Sequence, residues 1–94
     1  MFSGGTYDEV ARWLLNFFTA HAKRENVHAE AELEAGEERA GKSYAARVRL
    51  GPSVSALIEL EFADVARNRG SLEWCATLAG WVREVVRDLG TAAA

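Results

Sequence analysis

The sequence is poor in the residues that carry most metal and covalent chemistry: among 94 residues there are one cysteine, one proline and two histidines. Cys75 alone can form neither an internal disulfide nor a thiolate zinc set, and a reducing compartment is the simplest expectation. His21 and His28 are separated by a turn, and no H-x-x-x-H spacing forces them onto one metal. Lysine occurs only at Lys23 and Lys42, and 11 basic against 14 acidic residues leave a formal charge of -3. Bulk electrostatic attraction to nucleic acid or to an anionic membrane is thereby excluded. No run of 18 apolar residues exists, and Met1 to Gly5 lacks the basic flank and apolar stretch of a signal peptide, so a soluble cytoplasmic protein is expected. G-x-S-x-G, P-loop and dinucleotide fingerprints are absent from the sequence; no catalytic residue, cofactor or metal is assigned.

What the chain does have is apolar residues in ordered periods. Hydrophobic content of 49%, with three Trp, four Phe and two Tyr, is enough to fill the core of one domain spanning residues 1–94. Thr6 and Glu9 have capping-box spacing, and Tyr7, Val10, Trp13, Leu14, Phe17 and Phe18 succeed them at steps of three and four. This apolar pattern from Tyr7 to about His21 predicts a first helix with Lys23 and Arg24 in its last turn and Asn26 closing it. From Val27 the period becomes two. Val27, Ala29, Ala31, Leu33 and Ala35 alternate with His28, Glu30, Glu32 and Glu34, which describes a strand with one dry face.

Gly36 and Gly41 bracket a hairpin loop holding Glu37, Glu38, Arg39 and Ala40. Strand two then places Tyr44, Ala46, Val48 and Leu50 inward, with Ala45, Arg47 and Arg49 outward, and ends at Gly51 and Pro52. Strand three places Ala56, Ile58, Leu60 and Phe62 inward against Leu57, Glu59 and Glu61. Val65 to Gly70 reads as a turn with room for one helical loop. Ser71 caps a second long helix that Gly90 stops after Leu89, and residues 1–5 and 91–94 are expected to be flexible ends. The fold class is therefore α+β: an α-β-β-β-α chain with a three-stranded antiparallel meander and both helices on one face.

This order is shared with double-stranded RNA-binding domains, but the resemblance is topological only. Those domains start their second helix with lysines, whereas this one begins Ser71, Leu72, Glu73, Trp74 and carries no lysine after Lys42. RNA binding is not expected.

Pairing the strands with odd register sums brings Glu30 and Glu32 beside Arg47 and Arg49, with Glu59 and Glu61 beyond. The exposed sheet face would then be an acidic, a basic and an acidic strand whose charges set the register. A functional alternative makes His28, Arg47 and Arg49 a face for a small polar ligand or anion. Cys75 falls on an apolar stripe and reads as a small core residue. In the second helix, Leu72, Cys75, Leu78, Ala79, Val82, Val86 and Leu89 trace the core face. Trp74, Trp81 and Val85 lie on a neighbouring strip, and Gly80 costs helix stability unless another backbone approaches it closely. The leading expectation is a small protein-interaction module, homodimeric through Trp74, Trp81 and Val85. An acidic adaptor or chaperone taking an extended partner segment at a sheet edge is the other protein-partner reading.

Overall fold

The computed structural model of the chain describes residues 6–35, 39 and 41–93. The expected flexible start at 1–5, Ala94, and the hairpin residues Gly36, Glu37, Glu38 and Ala40 lie outside the described residues. Helix α1 runs Tyr7–Glu25, one turn further than its apolar pattern, because Ala22 continues the buried stripe of Val10, Leu14 and Phe18. Thr6 caps it as expected, its hydroxyl accepting from the Glu9 amide at 3.2 Å. Asn26 closes it: the backbone amide bonds Ala22 and the side-chain oxygen takes the His28 amide at 2.9 Å.

Strand β1 spans Glu30–Glu34 and β2 Ser43–Leu50. They pair antiparallel with Glu30 opposite Arg49 and Glu32 opposite Arg47, the odd register the charge pattern requires. Val27 does not begin the strand. It sits in the turn after α1 and is 71% exposed, because Asn26 has already bent the chain there.

The expected third strand is two strands. Gly51, at φ 61, and Pro52 make a tight connection into β3 (Ser53–Val54), and β4 (Ile58–Glu61) resumes the same edge of β2 after Ser55, Ala56 and Leu57. Three residues here span the width of two on β2, so the register beyond the interruption is even, with Tyr44 opposite Leu60 and Ala46 opposite Ile58. Ser55 holds this bulge. Its amide donates to the Val48 carbonyl at 2.9 Å, and its hydroxyl accepts from the Val48 amide at 2.9 Å, standing in for a ladder carbonyl. Ala56, expected inward, is exposed in the bulge, while Ser53 takes the inward place opposite Leu50.

Phe62, expected at the end of the third strand, leaves the sheet and starts a short helix, α2 (Phe62–Asn68), so the helical loop allowed in the turn begins earlier than expected. Its backbone still donates to Lys42, so the ladder and the helix overlap at one residue. The Phe62 ring packs edge-on against Tyr7, and Val65 and Ala66 enter the core. Ser71 caps α3 (Leu72–Ala93), its hydroxyl accepting from Trp74 at 3.3 Å. Gly90 does not stop α3, which continues to Ala93. A Cβ at Gly90 would lie 3.7 Å from the Leu50 side chain, an ordinary van der Waals distance, so the helix passes the end of β2 here with room for a side chain.

One core unites the layers. Val10, Leu14, Phe18 and Ala22 of α1, Tyr44, Ala46, Val48 and Leu50 of β2, Ile58 of β4, and Leu78, Val82 and Val86 of α3 form a single buried cluster. Tyr44 is completely buried with its ring stacked on Tyr7, and its hydroxyl donates to the Tyr7 carbonyl at 2.7 Å; the Tyr7 hydroxyl donates to the Ser43 carbonyl. Burial pushes the Tyr44 phenol well above its ordinary range. Leu72, expected in the core, is 89% exposed: as the first residue of α3 it precedes the turn that reaches the sheet. Among the described residues, no helix is long and apolar enough to cross a membrane.

Candidate functional site

Two surfaces hold the residues singled out in the sequence. The first is the sheet face turned away from the helices. Arg47 Nε donates to Glu32 at 2.8 Å with Glu34 4.0 Å away, and Arg49 Nη2 lies 3.0 Å from Glu32. The hydrogen bond from Arg47, with Arg49 nearby, holds the Glu32 carboxyl below its ordinary range. Glu59 and Glu61 do not flank these arginines. The bulge places them opposite Ala45 and Ser43, toward the other end of β2.

Arg39, at the hairpin, supplies the cation that Glu59 lacks. Its guanidinium donates to Glu59 at 3.2 Å and to the Ser43 hydroxyl at 3.1 Å, with Glu34 at 3.9 Å. Glu34 and Glu59 are the two neighbours of Ala45 across β1 and β4, so the guanidinium bridges over Ala45. Ala45, although on the charged face, is consequently buried. In the sequence Arg39 is visible only as a loop residue; the small Ala45 amid long charged side chains is the available signal.

His28, Arg47 and Arg49 do not converge. His28 is exposed and shares a shallow surface depression with Glu30, Arg49 and Gly51, while Arg47 is engaged by Glu32 and Glu34 further along. A carboxylate therefore stands beside the one arginine that His28 neighbours. His21 is on α1 with its imidazole against Phe17, apart from that depression. No cluster of three or more metal-ligating side chains occurs among the described residues. The Cys75 thiol donates to the Arg69 carbonyl at 3.4 Å, and burial pushes its pKa up, so it is held away from the thiolate form.

The second surface is α3. Trp74 stacks on Trp13 with ring centroids 6.5 Å apart, and it and Val85 pack against the core, so helix α1 already covers part of the aromatic strip. Trp81 differs: it remains 47% exposed. Beside it, Gly80 is open: among the described residues, no atom outside its own helix turn lies within 4 Å of where a Cβ would be. A shallow depression over Ala76, Thr77, Gly80 and Trp81 is edged by Arg83, Glu84 and Arg87. A second groove, between α1 and α3, is lined by His21, Arg24, Ala76, Ala79, Gly80 and Arg83. Burial, then the charges of Arg24 and Arg83, lower the His21 pKa, so its neutral form is favoured. Glu25 ties the helices together there, 3.2 Å from Arg87 and 3.6 Å from Arg83, and the Arg87 hydrogen bond holds its carboxyl below the ordinary range.

Comparison of the chain with family models, with curated proteins and with solved structures finds no match. The physical character of the two surfaces is thus the basis for a functional reading.

Proposed function

We propose that this chain is a small protein-interaction module that acts as a homodimer joined through the outer face of α3. The observation that carries the reading is Trp81, 47% exposed beside a glycine whose missing side chain makes room for none of the described residues. Glycine inside a helix costs about 1 kcal/mol relative to alanine, and close approach of another helix is a common compensation. An exposed tryptophan next to such a gap has the composition of an interface centre. Trp74 and Val85, partly buried against α1 and the sheet, form the rigid support beneath this surface rather than its contact residues. The charged sheet face lies on the other side of the molecule, and its ion pairs serve the strand register.

Light scattering at micromolar concentration tests the reading. The unmodified chain should give twice the chain mass, and Trp81→Glu should shift it toward one chain by placing an unpaired charge in the contact. A single-chain mass for the unmodified protein contradicts the proposal.

A further inference from the structure

We infer that two copies of the chain pack their α3 helices antiparallel about a two-fold axis passing beside Gly80, with Glu73 of each copy facing Arg87 of the other. The inference rests on the reading of α3 as a self-association surface and specifies the geometry of that contact. Glu73, Ala76, Thr77, Gly80, Glu84 and Arg87 recur at steps of three and four, so they line one side of the helix. All six are exposed. Gly80 lies midway along this line and is where another helix can come nearest, since no side chain stands there.

Charge then decides the direction. Glu73 and Glu84 have no ion pair among the described residues, whereas Arg83 and Arg87 share the single carboxylate of Glu25. A parallel pairing would set Glu73 on Glu73, Glu84 on Glu84 and Arg87 on Arg87. Such like-charge contacts are unfavourable and suppress that arrangement. Reversing one helix about Gly80 brings residues equally far before and after it into opposition. Glu73, seven residues before, meets Arg87, seven after, and Ala76, four before, comes level with Glu84, four after. No like charges face each other in this set. Glu84 of the second copy arrives at the level of Ala76, beside the groove where Arg24 and Arg83 supply positive groups. Trp81, one residue from the axis, lies on the same flank in both copies, so the two indoles come together there. The arrangement is closed, because each copy uses the same patch on the other.

Cross-linking in a Cys75→Ala background tests this register. Gly80→Cys should oxidise to a symmetric disulfide, seen as a band at twice the chain mass on a non-reducing denaturing gel. A mixture of Glu73→Cys and Arg87→Cys chains, treated with a short bismaleimide, should give the doubled band, while neither variant alone should. Doubled bands from Glu73→Cys alone and Arg87→Cys alone, with none added by mixing, indicate a parallel pair and overturn the inference. If the unmodified chain has twice the chain mass in solution and none of these positions cross-links, the register is wrong and the self-association stands. If its mass is that of one chain, both fall.

Discussion

Ser55 shows how much one side chain can hold in this molecule. Its hydroxyl is the acceptor for the amide of Val48, a fully buried residue of the central strand, at the point where the edge strand carries an extra residue. Ser55→Ala leaves that amide without an acceptor, and a loss of about 1–3 kcal/mol in unfolding free energy is expected by urea titration. Arg47→Ala, on the charged face, should instead change stability little, because Arg47 and Glu32 are both partly exposed and such pairs contribute weakly. Acid exposes the same network through its carboxylates. Glu32 and Glu25 have folded pKa values below their unfolded ones, so their stabilisation is complete above the unfolded value and is lost as pH falls through the folded one. Thermal midpoints should therefore decline below about pH 4.3, where unfolded glutamate protonates. The decline should be shallower in Glu32→Gln, and an unchanged slope in that variant would remove Glu32 from the account.

At the scale of elements, the periods of the apolar residues are legible in the sequence and the places where side chains substitute for backbone are not. The two-residue alternation over Glu30–Glu34 and Ser43–Leu50, with opposite charges on the outward positions, specifies both the strands and their register. The bulge is hidden because Val54, Ala56 and Ile58 keep the same alternation straight through it; only Ser55 marks the break, and a serine draws no attention in a strand. Phe62 fits a strand by period, yet its amide completes the ladder while its side chain already belongs to a helix. Gly90 looks like a helix stop, but Thr91, Ala92 and Ala93 continue the helix past it. The aromatic strip on α3 is half legible: spacing puts Trp74, Trp81 and Val85 together, and only the position of α1 separates the covered Trp74 from the exposed Trp81. Gly80 offers an element-scale test. Gly80→Ala should raise the unfolding free energy of the isolated chain by up to about 1 kcal/mol, since the added methyl meets nothing and alanine favours helix. Measured at high dilution, a gain in stability accompanied by weaker association at high concentration is the expected pair of results. Stronger association would contradict the role given to the glycine.

For the whole molecule, a two-layer α+β fold sets the charged sheet face and the Gly80–Trp81 patch of α3, edged by Arg83, Glu84 and Arg87, on opposite sides. The sheet face is occupied by its own ion pairs: Arg39, Arg47 and Arg49 are each bound to carboxylates of neighbouring strands. Among the described residues, Glu73 and Glu84 on the α3 patch have no such internal partner, and in the proposed dimer Glu73 faces Arg87 of a reversed copy. Sedimentation equilibrium of the unmodified chain, observed from dilute to concentrated solution, tests this claim most directly. The account predicts an apparent mass that rises from one chain to two and then stays there, because an antiparallel two-fold contact uses its surface completely. A mass of one chain across the whole range, or growth that continues beyond two, contradicts it.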